Sequence, residues 1–383
     1  MKLDRSCERI AVIGNSASYA VSFRGELIKT LIQDGHDVFL YCNDYTCATT
    51  QAVQDLGATA VHYSLNRSGF NPFADIRATY ALSKDLKKRK ISVSVSYCAK
   101  PAIFGTIASK MADVSKIYAM LEGLGWAFTA RPENDSLKCK LIKLVQVILY
   151  AVAFRFADKV IFLNQDDEST LKGFPFLGSI NSEILGPIGV PEDFLRFKDL
   201  DLGTVKFVFV GRLLFDKGIR EFIAAADKVK KVFPDAKFIA YGEPDEKNPA
   251  SLSPQDLKDY RDKGIVQFEG YTTEMVKVYE NASVVVLPSY REGFPRTIQE
   301  AMGIGRTIIA SNVPGCRHAI QHNRHGFLVK PFSSDDLANQ MIHLIKNKKL
   351  ILEMGERSHK HACQNFRADN AATRLKELMF SVS

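Results

Sequence analysis

Short apolar strands alternate with helical segments along this chain, and the alternation occurs twice. In the first half, β-branched runs at 9–13 and 38–42 flank residues 21–34, where apolar residues recur at helical spacing up to Gly35. A second alternation starts with a strand at 206–210 and a helix at 219–233. Because strands that alternate with helices form parallel sheets covered on both faces, we predict an α/β protein with two parallel sheets.

The break between the two alternations predicts the domain boundaries. Pro187, Gly189, Pro191 and Gly203 cluster with polar residues, which is typical of a linker. We therefore predict an N-terminal domain at 1–187, a linker at 188–203 and a C-terminal domain at 204–365. Open parallel sheets bind ligands beyond the carboxyl ends of their strands, so we expect two Rossmann-like domains that face each other across a cleft.

The charge and composition of the chain limit its partners. Its 383 residues carry a formal net charge of +8, which favours nucleotides, phosphorylated substrates or an anionic membrane surface. Nucleic acid is not expected, because no zinc-finger or RNA-binding signature accompanies this charge. Seven cysteines without a C-x-x-C pair indicate reduced thiols. We find no secretory pattern and no uncharged apolar stretch of about 18 residues, so we expect a cytoplasmic protein without a transmembrane helix.

Two loops in the C-terminal half are candidates for an anion site. The first, 211–218, follows a predicted strand and holds Arg212 and Lys217 between glycines that let the backbone approach a ligand. A guanidinium fork and a compact ammonium group suit a diphosphate. A solvated strand–helix loop is the alternative interpretation.

The second loop, 288–295, leads into a predicted helix that starts near Pro295. Free N–H groups at a helix start attract anions. Glu292 lies in the loop and Glu300 lies eight positions later, so the two carboxylates could contact different parts of one elongated ligand. Either glutamate alone is more often a solvated surface residue, whereas the pair around a Gly-Phe-Pro helix start is more specific.

Taken together, these motifs resemble the retaining glycosyltransferases of family 4, which have the GT-B fold. The resemblance covers nearly the whole chain and adds Tyr241-Gly242, Gly270-Tyr271 and Pro288-Ser289 to the two loops, in the order of the family. It implies that Glu292 is catalytic and contacts the donor sugar, and that Glu300 binds the ribose. The remaining implied donor residues are Arg212, Lys217, Phe294, Pro295, Arg296 and Thr297 for the diphosphate, and Gly242, Gly270 and Tyr271 for the base.

The resemblance has three further implications. It implies that no metal or other cofactor is needed, because cations and helix-start amides stabilise the departing diphosphate. It implies retention of the sugar configuration. It also implies that the final segment, 366–383, forms a helix that packs back onto the N-terminal domain.

Acceptor candidates lie in the N-terminal half. The loop 14–18 follows the first strand, and its spacing differs from G-x-G-x-x-G, which argues against a dinucleotide oxidoreductase. An ordinary polar loop is the alternative, and Arg24 is either a contact for an anionic acceptor group or a solvated arginine. The predicted acceptor-binding residues are Asn15, Ser16, Arg24, Lys100 and Gly123.

Glu122 departs from the pattern of the family. Many members carry a histidine at this position, so a catalytic histidine cannot be assigned here. Our hypothesis is that Glu122 is the catalytic carboxylate of the acceptor side, which accepts a hydroxyl proton or orients the acceptor sugar.

Two segments narrow the resemblance to one group of bacterial transferases. Glu122-Gly123-Leu124-Gly125 and Arg67-x3-Asn71-Pro72-Phe73 resemble enzymes that add N-acetylgalactosamine or a related sugar to a polyprenyl-diphosphate-linked saccharide in O-antigen, capsule or N-glycan assembly. We therefore predict α transfer of N-acetylgalactosamine from a UDP-sugar to such an acceptor. The alternatives are a GT-B nucleotide-sugar epimerase and a non-catalytic nucleotide-sugar-binding module.

Residues 137–156 predict a membrane contact. Apolar residues are dense there, and Lys138, Lys140, Lys143 and Arg155 lie among them. A basic, apolar helix of this kind can lie on an anionic membrane, which predicts a peripheral protein on the inner face of the cytoplasmic membrane. A core helix with cationic ends is the alternative.

Overall fold

The computed structural model describes residues 7–65, 71–129, 137–245, 248 and 250–380. The chain forms two compact units. Unit 1 comprises residues 1–128, 132–188 and 368–383, and unit 2 comprises residues 129–131 and 189–367. Of the predicted segments, Arg67 lies outside the described residues, as do the side chains of Trp126 and Lys138.

Unit 1 is built on a seven-stranded parallel sheet in the order β3-β2-β1-β4-β5-β6-β7. Its strands are β1 (Arg9–Ile13), β2 (Asp37–Cys42), β3 (Thr59–His62), β4 (Val93–Tyr97), β5 (Lys116–Leu121), β6 (Lys159–Phe162) and β7 (Ser182–Ile184). Its first six helices are α1 (Ala17–Gln33), α2 (Cys47–Asp55), α3 (Pro72–Lys88), α4 (Ala99–Met111), α5 (Leu137–Phe154) and α6 (Gln165–Lys172). The central strands β1, β4 and β5 are buried along almost their whole length, because helices cover both faces of the sheet.

Unit 2 repeats this plan with six parallel strands in the order β10-β9-β8-β11-β12-β13. The strands are β8 (Lys206–Val210), β9 (Lys237–Tyr241), β10 (Gln267–Gly270), β11 (Val284–Leu287), β12 (Thr307–Ser311) and β13 (Gly326–Val329). The helices are α7 (Ile219–Lys230), α8 (Pro254–Asp262), α9 (Met275–Glu280), α10 (Arg296–Ile304), α11 (Cys316–Ala319), α12 (Ser334–Lys346) and α13 (Lys348–Asn365). The strand order reverses between β8 and β11, which is the point where open α/β sheets bind ligands.

Most of the segment predicted as a linker, 188–203, packs within unit 2. Residues 189–203 belong to unit 2, where the 3-10 turn Glu192–Leu195 packs against α10 and α13. Gly189 N donates a hydrogen bond of 2.9 Å to the buried Gln299 side chain, and the Phe194 ring lies 6.2 Å from that of Tyr279. The segment that joins the two alternations therefore packs as part of unit 2.

The last helix, α14 (Ala368–Phe380), belongs to unit 1 and packs against α1. It buries Ala372, Leu375 and Met379. Lys376 forms an ion pair of 2.8 Å with Asp34, and the Tyr118 hydroxyl donates to the carbonyl of Met379. Unit 1 is therefore assembled from segments on both sides of unit 2 in the sequence.

Candidate functional site

In unit 2, the two loops with predicted donor residues follow the adjacent strands β8 and β11, so they meet at the switch point of the sheet. Tyr290 N donates a 2.9 Å hydrogen bond to the carbonyl of Asp216, which ties one loop to the other. Gly218 adopts φ +77°, and a Cβ there would lie 2.1 Å from the carbonyl oxygen of Pro288. Only glycine allows the backbones to approach this closely.

Both predicted phosphate-binding cations of the first loop form ion pairs. Lys217 Nζ lies 2.6 Å from Glu292 Oε1, which joins two predicted site residues, and the Glu292 side chain is only 11% exposed. Arg212 Nη1 lies 2.6 Å from Asp245 Oδ2, and this arginine is half-exposed. The guanidinium and ammonium groups are thus held in fixed positions, with their remaining donors available to a further anion.

Helix α10 begins at Arg296, one residue after Pro295, and its first turn is the predicted anion seat. The Phe294 ring is buried against the Phe366 ring, and the two ring centres are 5.8 Å apart. The predicted contact of Phe294 with the diphosphate would therefore come from its backbone. Arg296 Nε donates to Glu300 Oε1 at 2.8 Å, so the side chain of Arg296 is directed at Glu300, the residue predicted to bind the ribose.

Glu300 is held by a second donor. The Tyr279 hydroxyl lies 2.9 Å from Glu300 Oε2. Burial raises the pKa of Glu300, and the charge of Arg296 opposes that effect. Burial together with Glu300 raises the pKa of Tyr279, so the tyrosine remains a hydrogen-bond donor at neutral pH. The carboxylate therefore has a fixed orientation before any ligand binds.

The predicted base-binding residues lie at the ends of β9 and β10. Gly242 N donates to the carbonyl of Gly270 at 2.7 Å, and a Cβ on Gly242 would lie 2.0 Å from the carbonyl oxygen of Gly211. Tyr271 is 72% exposed, so its ring face is accessible. The structure thus brings the base-binding candidates against the loop that carries Arg212.

In unit 1, the predicted acceptor residues follow β1, β4 and β5 at the carboxyl edge of the sheet. Arg24 is buried and donates to Glu122, which therefore neutralises it. Its guanidinium also lies over the Tyr97 ring at 5.1 Å. Cys98 Sγ donates to the other Glu122 oxygen at 3.3 Å. Arg24, predicted for the acceptor, and Glu122, predicted for catalysis, thus form one ion pair whose side chains are 4% and 10% exposed.

The other acceptor candidates also follow strands β1, β4 and β5. Ser16 directly precedes α1, but its side chain does not cap the helix. Instead, Ala17 N donates to Asp44 Oδ1 at 2.6 Å. The buried Oδ1 of Asn15 has no hydrogen-bond partner within the described chain. Lys100 pairs with the buried Asp75 at 2.7 Å. Gly123 has φ +141°, which lets the chain turn directly after Glu122.

The sequence motifs left out the partners of these residues. Asp245 contacts Arg212, and Tyr279 contacts Glu300. Lys100 is paired with Asp75. None of these three partners lies within a motif. Among the described residues, no cluster of three or more His, Cys, Asp or Glu side chains is positioned to hold a metal ion. None of the described helices has the length and hydropathy needed to cross a bilayer.

Comparison with known proteins agrees with this geometry. Residues 192–361 match the family model described as glycosyl transferases group 1. The N,N'-diacetylbacillosaminyl-diphospho-undecaprenol alpha-1,3-N-acetylgalactosaminyltransferase of Campylobacter jejuni is 28% identical over 370 residues, which cover 93% of this chain and 94% of the relative. This chain is a glycosyltransferase, and its residues 192–361 are similar to the group 1 transferases. Another relative, the UDP-Gal:alpha-D-GlcNAc-diphosphoundecaprenol alpha-1,3-galactosyltransferase of Escherichia coli, is 26% identical and covers 79% of each chain.

Solved structures support the fold of this glycosyltransferase. Sucrose-phosphate synthase from Thermosynechococcus elongatus superimposes with a TM-score of 0.80 at 16% identity, over 97% of this chain and 98% of that one. Anabaena HepE in complex with UDP-glucose superimposes with a TM-score of 0.76 at 18% identity, over 98% and 100%. The predicted α/β architecture and GT-B fold are thereby confirmed.

Proposed function

We propose that this glycosyltransferase transfers N-acetylgalactosamine from UDP-N-acetylgalactosamine, with retention and in α linkage, to a polyprenyl-diphosphate-linked saccharide. The observation that carries the proposal is the similarity to the Campylobacter jejuni transferase along nearly the full length of both chains. The Escherichia coli relative also takes a diphosphoundecaprenol-linked acceptor by its name. The product would enter a bacterial surface polysaccharide such as O-antigen or capsule.

The donor residues of unit 2 support this activity. Arg212, Lys217 and the first turn of α10, at 294–297, would hold the diphosphate of UDP and stabilise its charge as it leaves. These groups would do so without a metal or other cofactor. Glu300 would accept hydrogen bonds from the ribose hydroxyls, and Gly242, Gly270 and Tyr271 would lie along the base.

The remaining carboxylates would act on the sugars. Glu292, which Lys217 holds in place at 2.6 Å, would contact the donor sugar near its reacting face. Glu122 would accept the proton of the acceptor hydroxyl or orient the acceptor, and Arg24 keeps its carboxylate in one orientation. Asn15, Ser16, Lys100 and Gly123 would line the acceptor side. An acceptor of this kind also implies that the enzyme works at the inner face of the cytoplasmic membrane.

The test is UDP release from UDP-N-acetylgalactosamine with and without a polyprenyl-diphosphate-linked disaccharide, followed by linkage analysis of the product by NMR. We expect acceptor-dependent release and an α-linked product. Conversion of the donor into an isomeric UDP-sugar without acceptor would indicate an epimerase instead. Donor binding without turnover on any acceptor would indicate a non-catalytic binding module.

A further inference from the structure

Helix α5 carries an apolar stripe on its solvent-facing side. Leu137, Leu141, Leu144, Ile148 and Val152 recur every three or four positions and are all exposed, Leu137 by 85%. They run along about 22 Å of the helix. The opposite side packs into the core of unit 1 through Val147, Tyr150, Ala151 and Phe154. The helix is therefore apolar on both sides, which a solvent-facing helix of a globular domain normally is not.

Helix α3 carries a shorter stripe of the same kind. Phe73, Ile76 and Tyr80 lie on one side of the helix and are exposed, Phe73 by 86%. Arg77 and Lys84 flank the stripe, and Lys84 Nζ lies 4.4 Å from the centre of the Tyr80 ring. The two stripes together are called the α3–α5 apolar surface below.

The topology of unit 1 places both stripes on one face of the sheet. The strand order β3-β2-β1-β4-β5-β6 means that α3, α4 and α5 all cross toward β6, whereas α1 and α2 cross the other way. Right-handed crossovers therefore put α3, α4 and α5 on one face, and α4 packs against both neighbours. The most exposed apolar residues, Phe73 and Leu137, begin their helices at the carboxyl edge of the sheet, where Glu122 and Lys100 also lie.

Charge is distributed unequally between the two faces. By sequence, α3, α4 and α5 contain nine lysines and arginines and only two acidic residues, Asp75 and Asp85. Asp75 is buried against Lys100, and Asp85 pairs with Arg89. Helices α1, α2 and α14, on the other face, contain four basic and four acidic residues. The next crossover helix, α6, is acidic at its start, but Asp167 and Glu168 are buried.

We propose that the α3–α5 apolar surface inserts into the interface of an anionic lipid bilayer. The inference rests on the proposed function in one respect, because it brings the acceptor edge of unit 1 to the membrane in which a polyprenyl-diphosphate acceptor resides. Aliphatic and aromatic residues bordered by lysines and arginines match the acyl boundary and the anionic headgroups of such a bilayer. A bilayer is favoured over a second copy of the chain, because copies packed through this face would bring together two strongly basic helix layers.

Vesicle flotation of the full chain tests the surface directly. We expect wild-type protein to float with vesicles of phosphatidylcholine and phosphatidylglycerol at about 0.1 M salt, and to float less at about 1 M salt, where screening is stronger. The double substitution Leu144→Asp/Ile148→Asp should reduce the bound fraction about tenfold, since it removes apolar contact and adds repulsion. Both residues are exposed, so the midpoint of thermal unfolding should not change.

The matched control substitutes two exposed apolar residues of unit 2, Val232→Asp/Leu352→Asp, and should float like wild type. Failure of wild type to bind anionic vesicles, or equal binding by Leu144→Asp/Ile148→Asp, would overturn the proposal. A concentration-dependent dimer of wild type that the same double substitution abolishes would also overturn it, because a second copy would then cover the surface.

A transfer assay separates this inference from the proposed function. The Leu144→Asp/Ile148→Asp variant should keep wild-type turnover on a short-chain, water-soluble lipid-diphosphate acceptor and lose it on a polyprenyl acceptor embedded in vesicles. Equal loss on both acceptors would contradict a membrane role for the stripe. Absence of transfer by wild type on either acceptor, with flotation intact, would refute the proposed function and leave the membrane surface standing.

Discussion

Single residues in unit 2 are held in place by ion pairs before any ligand arrives. Lys217 contacts Glu292 and Arg212 contacts Asp245, each at 2.6 Å. A diphosphate bound as proposed would share these cations with the carboxylates. Such sharing would weaken each new contact but would keep the cations oriented, which would lower the entropy that binding must overcome.

Arg212→Ala and Lys217→Ala are each expected to weaken binding of UDP. Loss of a charged hydrogen bond costs about 1.5–3 kcal/mol, which corresponds to roughly a tenfold to hundredfold rise in Kd. Isothermal titration with UDP measures this, and Lys228→Ala is the control because Lys228 pairs with Asp335 through exposed side chains in the same unit. Unchanged Kd in both variants would remove the diphosphate assignment.

Glu122→Gln should lower kcat about a hundredfold or more, because a general base contributes on that scale. The Kd for UDP should stay constant, because Glu122 belongs to unit 1 and the proposed UDP-binding residues belong to unit 2. Steady-state kinetics with a fixed acceptor measure the loss. Glu26→Gln, on the exposed pair with Lys29, is the control. Wild-type turnover in Glu122→Gln would contradict the role.

Residue positions were predictable where local spacing carries the signal. Arg212 and Lys217 lie in the loop after β8, and Glu292 lies in the loop after β11. Glu300 lies in the helix that follows, α10, and the structure brings Lys217 and Glu292 into contact. Their partners were not predictable, because such pairs join residues far apart in sequence. Arg24 meets Glu122 across 98 positions, and no local pattern encodes that distance.

At the scale of elements, the donor loops depend on one close backbone approach. Gly218→Ala would place a Cβ 2.1 Å from the Pro288 carbonyl, so the two loops would separate. We expect a loss of about 2–4 kcal/mol in unfolding free energy and weaker UDP binding. Gly264→Ala is the matched control: its φ is also positive, at +63°, but nothing lies within 4 Å. If chemical denaturation gave the same loss of unfolding free energy for both variants, the positive φ alone would account for the loss.

The contact between His325, which directly precedes β13, and His361 of α13 predicts a pH dependence. Burial, with a smaller effect of His361 4.6 Å away, lowers the pKa of His325 from 6.5 to about 4. Arg324 and Arg357 act in the same direction. Between pH 6.5 and about 4 the unfolded chain binds a proton that the folded chain does not, so stability should fall as pH falls through this window.

His325→Asn tests this, because an asparagine oxygen can still accept from Gln321 N as Nδ1 does at 3.2 Å. Thermal unfolding followed by circular dichroism should show a shallower decrease between pH 6.5 and 4 than wild type, with some slope left from His361, whose pKa burial also lowers. Substitution of the exposed His62 by Asn should leave the slope unchanged. An identical slope in His325→Asn would refute the assignment.

Elements were predicted best where they are buried. Strand β11, for example, is a continuous run of four buried apolar residues, so it was clear from the sequence. Helix α8 was missed because none of its residues is buried, although the capping box of Ser253 and Asp256 marks its start. Glycine and proline in the segment 188–203 indicated turns but not that the segment packs against α10 and α13.

At the scale of the whole molecule, α14 completes unit 1 by packing on α1. Leu375→Ala should reduce the unfolding free energy of unit 1 by about 2–5 kcal/mol, since Leu375 is 2% exposed and its removal leaves a cavity. Hydrogen exchange should show lower protection in α1. Leu352→Ala, at an exposed leucine, is the control, and unchanged protection of α1 in Leu375→Ala would contradict this role of the helix.

The discontinuous composition of unit 1 also sets an order of events during synthesis. The ribosome must translate all of unit 2, residues 189–367, between the sheet of unit 1 and the helix that covers α1. At roughly 5–20 residues per second, the apolar side of α1 would stay uncovered for roughly 10–40 s. During that interval α1 would lack the packing partner that α14 provides in the folded protein.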